Sequence, residues 1–147
     1  MDSVFYKEWF QGFLEGLEAL DDNSRQCLLR CCAKKCADTG VLESYKKHYI
    51  KVQGNRDEFY NRRIEELGGA RGEVITPGKV YAIIFPQCVC DLHTTGGVNS
   101  QSLCECSRQS IIYVGRNIWG EGTRFSVKNQ GTVLSGYKEC HFIIEFE

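Results

Sequence analysis

The apolar residues of this chain change their spacing part-way along, and that change does most to limit what it can fold into. In the first half they recur every three or four positions. Phe5, Trp9, Phe13, Leu17 and Leu20 form such a stripe, the mark of an amphipathic helix. Asp22, Asn23 and Ser24 offer N-cap chemistry to a second helix over about 25–37, which Thr39 and Gly40 stop. A third helix is expected over about 41–52, broken by Gly54 and Asn55. A fourth is expected over about 56–67, with Phe59, Ile64 and Leu67 on its apolar side.

Beyond residue 70 the pattern reads as strands. Residues 73–76 and 79–85 flank a Pro77–Gly78 turn, and Pro86 closes the second strand. Residues 94–100 have loop composition. Ser107 is placed to cap a helix over about 108–119. Further strands are expected over 124–128, 131–134 and 140–146. In the last of these Cys140, Phe142, Ile144 and Phe146 alternate and share one face. The expected fold is α+β. N-terminal helices pack on a C-terminal antiparallel sheet that carries one further helix. The 147 residues suit one domain, a helical part at 1–70 and an α/β, cysteine-rich part at 71–147.

A net charge of -1 gives no electrostatic footprint for nucleic acid or an anionic membrane. Asp2, Lys7, Glu8, Glu15 and Glu18 interrupt the apolar positions of the first twenty residues, unlike a leader peptide. The expectation is a cytoplasmic protein.

In that compartment nine cysteines read as ligands, reactive thiols or small core residues before disulfides. The strongest pattern is Cys88-x-Cys90 followed by Cys104-x-Cys106. In an extended segment residues two apart point the same way, so each pair can offer both sulfurs to one point. Cys88, Cys90, Cys104 and Cys106 are therefore a candidate metal set, for zinc foremost and an iron–sulfur cluster otherwise. His93 is placed to replace one thiol, and Glu105 to act as a base beside bound metal. The alternative is that these cysteines are buried as small apolar residues.

Four more cysteines lie in the second helix. Cys32 and Cys36, beside Leu28 and Leu29, are expected to face the interior, with core packing the alternative role. Cys27 and Cys31 fall nearer Arg30, Lys34 and Lys35. Cys32, Cys36 and Cys140 are candidate ligand-contacting residues of a pocket between helices and sheet. Cys104 or Cys106, at a helix N-terminus, is the candidate catalytic nucleophile. Aromatics expected at the surface, such as Tyr6, Phe10, Tyr45 and Tyr49, are candidates for a homodimer interface, with ordinary packing the alternative.

Four pieces together resemble a bacterial cysteine-rich family labelled L-2-amino-thiazoline-4-carboxylic acid hydrolase-like. They are Cys32-x3-Cys36, Cys88-x-Cys90, Cys104-x-Cys106-Ser107, and Ser135-Gly136-x3-Cys140-x-Phe142-x-Ile144. The second half is also similar to the 4-vinyl reductase domain, a small-ligand-binding module of bacterial sensors related to vesicle-tethering subunits. There the shared pieces are Cys106 before a helix and Gly136-x3-Cys140. The first resemblance implies hydrolysis of a small cyclic sulfur amino acid. The second implies a small-molecule ligand. Some of those relatives hold zinc through a glutamate and a cysteine, where this chain has Asn129 and Thr132. The functional expectation is a small-ligand- or metal-binding protein with a thiolate centre. A hydrolase or a thiol redox protein is the alternative.

Overall fold

The structure, a computed structural model, describes residues 3–62 and 69–147. Helices α1 (Ser3–Ala19), α2 (Asp22–Asp38), α3 (Val41–Lys51) and α4 (Arg56–Tyr60) come first. Strands β1 (Arg71–Thr76) and β2 (Val80–Phe85) follow, then a single helical turn, α5 (Asp91–Thr94), and the long α6 (Cys104–Trp119). Strands β3 (Phe125–Gly131) and β4 (Cys140–Phe146) end the chain. The sheet order is β1-β2-β4-β3, with each neighbouring pair antiparallel. The fold is α+β.

The alternation in β4 sets the core. Cys140, Phe142, Ile144 and Phe146 are all buried. Across from them on β2 stand Phe85, Ile83 and Tyr81, paired with Cys140, Phe142 and Ile144. Tyr45 of α3, Phe59 and Tyr60 of α4, and Val114 and Ile118 of α6 belong to this cluster, which corrects the expectation that Tyr45 is an exposed interface residue. Gly115 lets α6 lie close to the sheet. A Cβ there would come 2.6 Å from the Phe125 ring of β3, closer than packed carbons tolerate.

A smaller cluster of Leu14, Leu17, Leu29 and Leu103 joins α1 and α2 to the start of α6. Only Leu14 and Leu17 of α1 are buried. Phe5, Trp9 and Leu20 are exposed. The expected stripe therefore packs only through its C-terminal half, because α2 and residue 103 cover no more of it.

The buried side of α2 is Leu29, Ala33 and Ala37, with both alanines fully buried. Cys32 and Cys36 are exposed. This corrects the expectation that they face the interior. Two small residues at i, i+4 spacing let a neighbouring helix come close, and they took the inner face. Leu28, the other guide to that face, is itself exposed.

Helix α6 begins at Cys104, four residues before the expected start. Ser100 caps a 3-10 turn, Gln101–Leu103, by accepting from the Ser102 N–H, and this turn runs directly into α6. The expected strand over 131–134 is instead the end of β3 and a 3-10 turn, Val133–Ser135. Thr132 and Ser135 cap each other reciprocally there. The fourth helix ends at Tyr60, with Asn61 as its C-cap, and residues 63–67 of its expected span lie outside the described residues. Among the described residues no helix is long and apolar enough to cross a membrane.

Candidate thiol-lined site

The early start of α6 decides how the cysteines are arranged. Successive helical residues turn by about 100°, so Cys104 and Cys106 lie some 200° apart around the axis. The expectation that this pair offers both sulfurs to one point is therefore corrected. It assumed an extended segment.

Cys104 faces the sheet. Its thiol is buried and donates to the Thr132 hydroxyl at 3.1 Å. Burial pushes its pKa up, the Thr132 contact opposes this, and Cys140, Cys88 and Cys90 push it further up. Cys140 is buried at the start of β4, and its sulfur accepts from the Val133 N–H at 3.4 Å. Its pKa is also raised, by burial first and with a contribution from Cys88. Cys88, Cys90, Cys104 and Cys140 line one small apolar cavity of about 40 Å³. Phe85, Val89, Leu103, Leu134 and Phe142 supply its apolar walls, and the hydroxyls of Ser107 and Thr132 its polar edge.

Cys106 faces the other way. It packs against the cluster of Leu14, Leu17, Leu29 and Leu103. Burial pushes its thiol up to about 12, helped by Cys32, Cys36, Cys90 and Glu105. Cys36 is pushed up by burial, with Cys90 and Asp91 adding to it. Of the four sulfurs grouped from the sequence, the structure brings Cys88, Cys90 and Cys104 to one pocket and places Cys106 outside it. Among the described residues no three His, Cys, Asp or Glu side chains stand as ligands around one point. Of the expected ligand-contacting residues, Cys140 lines the pocket, whereas Cys32 and Cys36 lie on the α2 surface.

Asn129 and Thr132, the positions singled out by the second resemblance, are both engaged within the fold. The Asn129 side chain accepts from the Gly131 N–H at 2.8 Å. The Thr132 hydroxyl is buried between Cys104 and Ser135. His93 sits on α5, and its Nδ1 lies 2.9 Å from the Val98 carbonyl, to which it donates. Burial works to raise the pKa of Glu105, but hydrogen bonds from Arg108 and Gln109 outweigh it and hold the carboxylate low. Those contacts are 2.8 Å each at Glu105 Oε1.

A second, polar cleft of about 410 Å³ opens on the other side of the α6 N-terminus. Arg25, Glu18, Glu105 and Asn129 line it, but each already serves the fold. Arg25 donates to the carbonyls of Leu17, Glu18 and Leu20, and so closes the C-terminus of α1. Glu18 accepts from Ser100 at 3.0 Å.

Sequence reading assigns Ser107 to a helix cap and Thr132 to a position where similar domains hold zinc, and places neither in a thiol-lined pocket. A threonine next to a glycine at a strand end, eight residues before Cys140, carries no signal for a pocket of its own. Only the fold shows that Thr132 is 1% exposed and touches a thiol.

No family model matches this chain, and no curated protein matches it. Among solved structures it is similar to a trafficking protein particle complex subunit 3 from Naegleria fowleri, covalently bound to palmitic acid. The identity is 12%, over 99% of this chain and 92% of that chain, with a TM-score of 0.46.

Proposed function

We propose that this chain is a small-ligand-binding protein, and that its site is the apolar pocket against Cys104. One observation carries the reading. Cys88, Cys104 and Cys140, from three segments distant in sequence, line a single cavity whose other walls are apolar. Protonated thiols are soft and polarizable, and they suit an apolar or sulfur-bearing group. A cavity of about 40 Å³ admits a compact group and not a bulky one.

The hydrolase alternative has less behind it. Cys104 and Cys106 both have raised pKa values, so at neutral pH each carries its proton. Glu105, the carboxylate between them, is held by Arg108 and Gln109. A nucleophilic thiol needs a base or a nearby cation to activate it.

Alkylation mapped by mass spectrometry tests the proposal. The reduced chain is treated with iodoacetamide alone, with dimethyl sulfide as a compact apolar probe, and with the thiazoline amino acid. Slower labelling of Cys88 and Cys140 with either compound, and no free cysteine released, supports binding. Release of cysteine makes the chain a hydrolase. Labelling unchanged by both compounds overturns the pocket as a ligand site.

A further inference from the structure

We propose that the outer face of α1 docks a second copy of this chain, the two α1 helices lying antiparallel with the aromatic rings of each over the glycines of the other. The pocket against Cys104 plays no part in this contact.

Helix α1 joins the fold through Leu14 and Leu17, with Phe13 beside them. Its first turns carry Phe5, Tyr6 and Trp9, which are 55%, 46% and 57% exposed. Among the described residues the ring neighbours of Phe5 and Trp9 are Tyr6, Phe10 and Phe13, all on the same helix. At about 100° per residue, Phe5, Trp9, Gly12 and Gly16 fall within an arc of roughly 60°. That arc lies away from Leu14 and Leu17, and Lys7, Glu8, Glu15 and Glu18 all fall outside it.

The glycines add a separate observation. Glycine inside a helix weakens it relative to alanine, so it fits best where another backbone comes close. Within one chain nothing does so. A Cβ at Gly12 or Gly16 would have nothing within 4 Å, and neither residue has a positive φ. The room they leave faces outward, on the same stripe as the two exposed rings.

Self-complementarity names the occupant. In an antiparallel pair with its two-fold axis between positions 10 and 11, position 9 faces position 12 of the other copy, and position 5 faces position 16. Large rings then meet glycines on both sides of the axis, as an isologous contact requires. The area agrees. Rings of this size, half exposed, leave roughly 100 Å² each outside the fold, or some 600 Å² for Phe5, Tyr6 and Trp9 of two copies. At an apolar share of about 60%, the whole contact comes to roughly 1,000 Å², the weak end of specific association. Charge disfavours a lipid surface. Helices that lie on membranes carry lysine and arginine on their polar face, whereas α1 sets Glu8, Glu15 and Glu18 against Lys7.

Sedimentation equilibrium of the reduced full chain, from about 1 μM to about 1 mM, tests this. Reductant excludes disulfide-linked pairs through the exposed cysteines of α2. The expected result is a reversible rise from the mass of one chain to that of two and no further, because a two-fold contact closes. Trp9→Ser removes a ring, and Gly12→Gln with Gly16→Gln fills the space opposite. Each variant should raise the dissociation constant by about tenfold or more and keep its circular dichroism spectrum. The glutamine variant should also melt at a higher temperature in dilute solution, since glutamine is the better helix former. Association lost together with stability gained is not misfolding. A parent that stays a single chain at about 1 mM, association unchanged in either variant, or growth beyond two chains would each overturn the proposal. So would a parent that stays single in solution and sediments with phosphatidylcholine vesicles, which would make the face a lipid surface.

Discussion

Cys106 lies two residues after Cys104, yet the two sulfurs belong to opposite sides of α6. Cys104 meets Thr132 beside the sheet, and Cys106 meets Leu29 and its neighbours beside α2. The N-terminal turn of this helix therefore divides the cysteines into two groups. Cys90 acts electrostatically on both Cys104 and Cys106.

The buried thiols make stability sensitive to alkaline pH. Cys106 is raised from an ordinary 9.0 to about 12 in the folded chain. Below the unfolded value both states keep the proton and nothing is lost. Above it the unfolded chain ionises and the folded chain does not. Stability is thus intact up to about pH 9, then falls towards pH 12 by roughly 1.4 kcal/mol per pH unit for this single proton. Burial also raises Tyr45, Tyr60 and Tyr81, which steepen the loss above about pH 10. Urea melts across pH 8–11 of the parent and the Cys106→Ala variant test this. The variant should show the shallower decline between about pH 9 and 10.

Thr132→Val should weaken both fold and site. The hydroxyl accepts from the Ser135 N–H and from the Cys104 thiol. Losing a cap of this kind costs about 1 kcal/mol. The urea midpoint should drop with its slope unchanged. Because the Thr132 contact lowers the pKa of Cys104, that thiol should also alkylate more slowly at fixed pH in the variant.

Gly115→Ala should push α6 away from β3. The added methyl meets the Phe125 ring at 2.6 Å, and overpacking of this sort costs about 1–3 kcal/mol. Phe125→Leu alone also destabilises, by leaving a gap. The pair together should lose less than the sum of the two, and a double-mutant cycle of denaturation free energies reads the difference.

Trp9→Ser should change stability by no more than about 0.5 kcal/mol. Its ring is 57% exposed and its neighbours are the rings of Phe10 and Phe13 on its own helix. Trp119 differs, since Tyr49, Phe59, Tyr60 and Phe146 surround it. Removing Trp9 should therefore leave a blue-shifted fluorescence from Trp119 that moves to the red only on unfolding.

Much of this was legible in the sequence. The period change gave the α+β class, and the alternation at Cys140, Phe142, Ile144 and Phe146 gave β4 to the residue. Those features repeat along one element, so local reading suffices. The start of α6 was not legible, because Ser107 resembles a cap as well as Ser100 does, and only the 3-10 turn at Gln101–Leu103 decides between them. The error propagated to the site, since a strand period had been applied to residues that are helical. The facing of Cys32 and Cys36 failed for a different reason. On a helix with few large apolar residues, alanines can define the inner face, and hydrophobicity alone does not single them out.

Those alanines have a consequence for the sulfurs. Ala37 shares a cluster with Val114 and Ile118, and with Ala33 it keeps the inner face of α2 small enough for α6 to lie close. The packing of Cys106 against the Leu29 cluster therefore depends on residues that bear no sulfur. A homologue that kept all nine cysteines but carried leucine at positions 33 and 37 would hold its two helices apart, and Cys106 would lose its packing beside Leu29.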